Sequence, residues 1–269
     1  MKKNTLLASL TLLAATGLGL SSCQEKDNVT VKNEVSEATI NQVKALGFTA
    51  TGAQKVAGGV VVEGDILLTN EMLASQPEQS LLRVGQDEQY RTTNLVSRLP
   101  RVLTVSVSSQ FPSGYVQAAD EAIRRYNAQG LRITMRRITS GTADLPITYS
   151  ADLGPGVLGR SGGFPSNGNP APGFQLAPSV IGARSINNVA TIMAHEMGHC
   201  LGFRHTDYFN RAYSCGGAAS NEGASGVGAI YIPGTPSGAD PNSWMLACIS
   251  STDDRPFNAN DRIALNYVY

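Results

Sequence analysis

The sequence predicts an α+β fold, in which a twisted mixed sheet supports one long helix. Three observations carry this expectation. Val102-Leu103-Thr104-Val105-Ser106-Val107 alternates and is β-branched, as a half-buried strand is. From Tyr115 to Ala128, apolar residues fall at 115, 116, 119, 122, 123 and 126, which is helical spacing, and Gly130 ends the run. A later stretch holds all 3 histidines of the 269-residue chain, His195-Glu196-Met197-Gly198-His199-Cys200-Leu201-Gly202-Phe203-Arg204-His205.

The chain starts with a basic Met1-Lys2-Lys3 and a mostly apolar run from Leu6 to Leu20. That run is shorter than the about 20 residues of a membrane span, and the pattern is that of an export signal. Its end, Leu20-Ser21-Ser22-Cys23, resembles a bacterial lipoprotein box. The resemblance implies removal of residues 1–22, a lipid on Cys23 and, with Gln24 rather than aspartate next, the outer membrane. Residues 23–40 are polar and are expected to form a tether. Residues 41–98 form an N-terminal segment resembling a pro-segment, and 99–269 the main domain. In the N-terminal segment, Gly59 to Leu68 reads as a strand interrupted by a turn, and Asn70 to Gln76 as a short helix. Further strands are expected at 131–138, 145–150 and 174–177, with a long Gly/Pro-rich surface loop over 154–173. Asn187 or Asn188 is expected to start the histidine helix, with Ile192 and Met193 facing the sheet.

Charge excludes one class of partner. The chain has 21 basic and 21 acidic side chains, and losing Lys2 and Lys3 with the signal leaves 19 against 21. No basic run of the kind nucleic acids require is present. The membrane is expected to be reached through the N-terminal lipid alone.

The histidine window dictates its own chemistry. On a helix, His195 and His199 project from one side, a turn apart, and Glu196 lies about 100° round. Ten residues of continuous helix would carry His205 roughly 15 Å away, so the chain must turn, and Gly202 allows that at low steric cost. Three imidazoles, an open fourth position and an adjacent carboxylate are the design of a catalytic site for one Zn²⁺. Structural zinc sites are usually closed by four protein ligands, often thiolates, and Cys200 beside His199 should point away.

The pattern H-E-x-x-H-x-x-G-x-x-H resembles that of the metzincin metallopeptidases, in which the histidines bind zinc and the glutamate is the general base. Asp240-Pro241-Asn242-Ser243-Trp244-Met245 resembles their Met-turn, which places Met245 under the metal. Phe257 to Tyr269 resembles their C-terminal helix, which Asn258 or Asn260 could cap. Ser214-Cys215-Gly216-Gly217, Ile232-Pro233-Gly234-Thr235-Pro236 and Met245 to Cys248 make the chain most similar to the dual-action HEIGH metallopeptidases. The likeness covers residues 99–269 and, more loosely, 40–98. Astacins carry a zinc-binding tyrosine where Ala247 stands and an acidic residue where Thr206 stands, so three protein ligands and no tyrosine switch are expected.

The resemblance implies a zinc endopeptidase acting on polypeptides through a water activated with Glu196. It implies that Phe174-Gln175-Leu176 is an antiparallel edge strand to which substrate pairs. Glu63-Gly64-Asp65-Ile66 is similar to the G-D-I element of astacin pro-segments, which implies that Asp65 closes the metal position until cleavage between residues 77 and 100. Export makes one disulfide available, and Cys215 with Cys248 is the preferred pair because both flank loops near the Met-turn; spacing alone does not decide it. The competing reading is a zinc-stabilised adhesion or binding lipoprotein without turnover.

Overall fold

The computed structural model describes residues 35–46, 48–74, 89–223 and 228–269. The expected signal, Cys23 and the first part of the tether lie outside the described residues. The chain first forms helix α1 (Glu37–Ala45), capped by Ser36, whose hydroxyl accepts from Thr39 N–H. The end of the segment expected as tether is therefore helical. Its polar opening hides Val43 and Leu46, which pack with Phe48 and the strands that follow. Strands β1 (Gln54–Val56), β2 (Gly59–Val62) and β3 (Ile66–Thr69) form an antiparallel meander, and α2 (Asn70–Ala74) closes it. Phe164 from the main body completes this small core.

Strand β4 (Tyr90–Arg91) already belongs to the main body. Gln89 donates to the Asp261 carboxylate at 2.8 Å, and Thr92 N–H donates to the Gly202 carbonyl at 2.8 Å. Residues from Gln89 onward are therefore already bonded into the main body, although the sequence assigns 41–98 to the N-terminal segment.

The body then runs β5 (Arg101–Val107), α3 (Ser113–Asn127), β6 (Ile133–Arg137), β7 (Leu145–Tyr149), β8 (Gly159–Ser161), β9 (Phe174–Leu176), the short α4 (Pro178–Ile181) and α5 (Ile186–Leu201). It closes with α6 (Ala212–Cys215), β10 (Ile230–Tyr231), which pairs with β4, and α7 (Ala259–Val268). One sheet has the order β1-β2-β3-β8-β9-β7-β5-β6. Its β6, β5, β7 and β9 are mutually parallel, β8 runs antiparallel to β9, and β3 runs parallel to β8.

Period-2 alternation decides where the helices sit. Leu103 and Val105 of β5 are fully buried, while Val102 on the other face is 54% exposed. The core is therefore on one face, where α3 contributes Ala118, Ala119 and Ala122 and α5 contributes Ala190, Met193 and Met197. Alanines on α3 let the two helices approach closely. Tyr126 of α3 donates to the Ala194 carbonyl at 2.8 Å, and Arg125 donates to Thr191 at 2.9 Å.

Two sequence expectations are corrected here. Phe174-Gln175-Leu176 is not an edge: β9 lies between β7 and β8 with its backbone paired on both sides. The strand next to the histidine helix on the outer side is β8, and β3 covers it through the Ile66–Ser161 pairing. Helix α5 starts earlier than Asn187, because Ser185 is the cap and accepts from Asn188 N–H at 3.1 Å.

Tyr126→Phe removes the tie between α3 and the backbone just before His195. It is expected to lower stability by about 1 kcal/mol, the worth of one buried hydrogen bond, since the Ala194 carbonyl keeps its donor within the helix. Urea unfolding measures this, and metal stoichiometry should not change.

Candidate metal centre

Helix α5 is buried along most of its length and carries His195, Glu196 and His199 against the sheet. It stops at Gly202, which has φ 105°. The Phe203 N–H donates back to the Gly198 carbonyl at 2.9 Å, a helix-ending geometry that a side chain at residue 202 would strain. Arg204 N–H then donates to the Tyr90 carbonyl at 2.9 Å, which fixes the chain as it returns and brings His205 beside the other two.

The three imidazoles converge through Nε2. His199 Nε2 is 3.1 Å from His195 Nε2 and 3.2 Å from His205 Nε2. Each Nδ1 faces an acceptor: the Trp244 carbonyl at 2.9 Å for His195, the Phe203 carbonyl at 2.9 Å for His199, and Glu222 Oε1 at 2.7 Å for His205. A carbonyl cannot donate, so Nδ1 carries the proton and Nε2 presents a lone pair. Lone pairs facing one another at this distance repel, and a shared cation makes the arrangement favourable. A tetrahedral ion with bonds of 2.0–2.1 Å would need nitrogen separations of about 3.3–3.4 Å, close to those found. The donor set therefore fits a metal ion.

A carboxylate stands at the fourth side. Asp65 Oδ2 lies 3.1 Å from His205 Nε2, 3.7 Å from His195 Nε2 and 4.0 Å from His199 Nε2. The four ligand atoms lie within 4.8 Å of one another. Burial, then the neighbouring His195 and His205, hold His199 well below its ordinary pKa, so it is neutral as a ligand must be. Burial opposes charge on both Asp65 and His205, but Asp65 and Glu222 raise His205 well above its ordinary pKa, and where a proton rather than a cation sits on His205 Nε2 it holds the Asp65 carboxyl low; a bound ion would take the place of that proton.

Glu196 is 2% exposed, and its Oε2 has no hydrogen-bond partner among the described residues. Burial, then the Asp65 charge, push its pKa well up. Its Oε1 packs on β8, where a Cβ on Gly159 would lie 2.4 Å from it; glycine there leaves room for the carboxylate. Met245 is fully buried, and its sulfur would be 2.5 Å from a Cβ on Gly198, so it sits directly beneath the histidine-bearing turn. The turn itself is closed by Ser243 N–H donating to the Asp240 carbonyl and anchored by Trp244 N–H donating to Asp261. Asp261 is also the carboxylate of the capping box that Asn258 opens on α7. One helix start thus holds the loop that orients His195.

Cys215 and Cys248 form a disulfide with a Cα separation of 5.1 Å. It joins α6 to the segment after Met245. Asp207 adds to this, accepting from Ala247 N–H at 3.0 Å and from Ser214 at 2.6 Å. Cys200 is a free, buried thiol whose sulfur donates to the Gly173 carbonyl, away from the histidines. Between these walls lies a cleft of about 530 Å³ lined by His195, Glu196, Leu158, Ile192, Leu246 and Ile249, among others.

Sequence reasoning missed Glu222, Gly159 and the pair Glu63–Arg204. Glu222 lies 17 residues beyond His205 in a loop without periodicity, so no local signal marks it. Arg204 Nη2 lies 2.9 Å and 3.0 Å from the two Glu63 oxygens, a contact across 141 positions.

Comparison with known proteins comes to the same chemistry. The family model of the dual-action HEIGH metallo-peptidases matches residues 60–269. No curated protein matches. Among solved structures, two of myroilysin are similar to part of the chain. One is 21% identical with a TM-score of 0.32, covering 43% of this chain and 54% of that one. The other is 20% identical with a TM-score of 0.30, covering 42% and 48%. This chain therefore spans about half the length of those proteins.

The Glu222 carboxylate fixes the His205 tautomer. Glu222→Gln is expected to weaken metal affinity about 10–100-fold, read by competition with a chelator, and to leave the fold intact.

Proposed function

This chain belongs to the dual-action HEIGH metallopeptidase family, and on that premise we propose that it is a zinc endopeptidase of metzincin type held latent by Asp65. The convergence of three Nε2 lone pairs carries the reading. His195, His199 and His205 would hold the ion, and neutral imidazoles in a tetrahedral set suit zinc. When bound, zinc supplies Lewis-acid chemistry: it makes water a nucleophile near neutral pH and polarises a carbonyl.

The chain's own residues do the rest. Glu196, with one oxygen unpartnered, accepts the proton of the attacking water and passes it to the leaving amine. Nδ1 bonds to Trp244, Phe203 and Glu222 keep the ligands aimed. Met245 does no bond chemistry and supports the ligand rings from below. An extended polypeptide pairs with the outer backbone of β8, beside Glu196.

Two features of the N-terminal segment support latency. Asp65 takes the position that the nucleophile needs. Strand β3 also takes the β8 backbone that a substrate needs: Ser161 N–H already donates to the Asp65 carbonyl at 2.9 Å. Because Gln89 to Val96 are built into the body, activating cleavage falls between residues 77 and 88, the upstream part of the expected window. On the Leu20-Ser21-Ser22-Cys23 sequence we place the protein outside the inner membrane, anchored through a lipid on Cys23. The alternative, a zinc-stabilised binder without turnover, gives no use to a buried carboxylate with a free oxygen beside the histidines.

Glu196→Gln is expected to keep one zinc per chain and lose about 10²–10⁴-fold in peptide hydrolysis. Near wild-type turnover contradicts the assigned base, and a wild-type chain with zinc but no hydrolysis of any peptide favours the binder. Asp65→Ala is expected to raise the activity of the unprocessed chain, assayed on a fluorogenic peptide. A wild-type precursor that is already fully active removes the latency role.

A further inference from the structure

The turn that carries Asp65 also buries Glu63, and neither catalysis nor closure of the metal site uses that residue. Its side chain is fully enclosed, as is that of its partner Arg204. Both Glu63 oxygens accept from one terminal nitrogen of Arg204. The other terminal nitrogen donates to the Gly223 carbonyl at 2.8 Å and the Gly228 carbonyl at 3.4 Å. The guanidinium lies between the rings of Tyr208, 5.4 Å away, and Phe48, 5.1 Å away. Arg204 Nε has no partner among the described residues. Arg211 donates to the backbone carbonyl of Glu63.

Of the described residues named around this guanidinium, Phe48 and Glu63 come from the N-terminal segment. Gly223, Gly228, Tyr208, Arg211 and Arg204 itself belong to the body. When the segment leaves, the guanidinium stays aimed and loses its carboxylate. Glu222 does not replace it fully. Its Oε1 is already 2.7 Å from His205 Nδ1 and 3.3 Å from Arg211, and its Oε2, 3.7 Å from Arg204 and without a hydrogen-bond partner among the described residues, can serve one guanidinium but not two. Two guanidiniums then face a single carboxylate, and a buried cation without a counter-charge is unfavourable. Glu63, Glu222 and His205 could also be read as a second metal site. Arg204, whose Nη2 lies 2.9 Å from Glu63 and 3.7 Å from Glu222, supplies the positive charge that the two neighbouring carboxylates need, which makes the pocket a carboxylate receptor instead.

We propose that in the processed enzyme this pocket is a subsite for an acidic substrate side chain, and that Glu63 is its stand-in in the latent chain. The pocket takes glutamate within two residues of the scissile bond, because Glu63 is two residues from Asp65, the residue at the metal position. Glutamine is disfavoured: its carbonyl oxygen can still accept, but its NH₂ sets a donor against the guanidinium and the charge is left unbalanced. The proposal rests on the peptidase and latency reading.

The test uses the full chain after its own processing, or, where it does not process, after cleavage between residues 77 and 88 by an added protease and removal of the N-terminal segment. Cleavage sites in a peptide library are read by mass spectrometry, followed by kcat/KM for matched peptides with Glu or Gln at the selected position. Glutamate should be enriched at one position within two residues of the cut, with kcat/KM at least about tenfold above the Gln peptide. Arg204→Gln should abolish the difference by lowering the Glu value alone, and the more exposed Arg211→Gln should narrow it. The wild-type profile decides even where Arg204→Gln does not fold.

A second arm needs no turnover. Calorimetry compares binding of the peptide Val61-Val62-Glu63-Gly64-Asp65-Ile66 with the same peptide carrying Glu63→Gln, and the substitution should weaken binding at least about tenfold. Cleavage without acidic preference, with equal binding of the two peptides, overturns the subsite and leaves the peptidase reading standing. Glu-dependent binding without any cleavage supports the subsite and overturns the peptidase reading. Neither cleavage nor Glu-dependent binding overturns both.

Discussion

Three imidazole lone pairs facing one another repel unless a cation lies between them, and the local structure is arranged to hold them so. Each ring has its far nitrogen committed to a carbonyl or carboxylate, so none can relieve the repulsion by changing tautomer. The surrounding elements serve this one constraint. The left-handed Gly202 turns His205 back, and the bond from Arg204 N–H to Tyr90 holds the return. The α7 cap fixes the loop whose Trp244 carbonyl orients His195. Gly198 and Gly159 are small because Met245 presses from below and Glu196 lies against β8.

In the proposed latent state, the N-terminal segment occupies the surfaces proposed for substrate. Asp65 faces the ligands, β3 pairs with β8, and Glu63 fills a cationic pocket of the body. These contacts are of different kinds: a carboxylate at a metal position, a backbone ladder and a buried ion pair. Losing one leaves the others, so a cut chain need not release the segment at once. The meander also has a small core of its own, to which the body lends Phe164. Burial of that apolar surface adds to the hold.

What the sequence made legible was local. The spacing of His195, Glu196 and His199 is a helix geometry, and Gly202 is a backbone need, so both can be read from a window of a few residues. Asp240 to Met245 and the cap at Asn258 are equally local. Strand β5 was legible because alternation over six residues marks a half-buried strand. Partners across the fold were not. Strand β8 is Gly159-Arg160-Ser161, three residues without apolar alternation inside a Gly/Pro-rich stretch, so the edge strand that the resemblance implies upstream of the histidine helix fell on Phe174-Gln175-Leu176, the strand the sequence does mark. A strand's pattern tells which face is buried but not which strands flank it. Glu222 and the Glu63–Arg204 pair depend on contacts over 17 and 141 positions, which no periodicity records. Helix α1 was concealed by the polar residues around its few apolar anchors.

Metal content tests the central claim most directly. The natively purified full chain should contain one zinc ion by elemental analysis, lose it to a chelator and regain it from added Zn²⁺, whereas His199→Ala should bind none. A wild-type chain without transition metal that also fails to take up added Zn²⁺ contradicts the account.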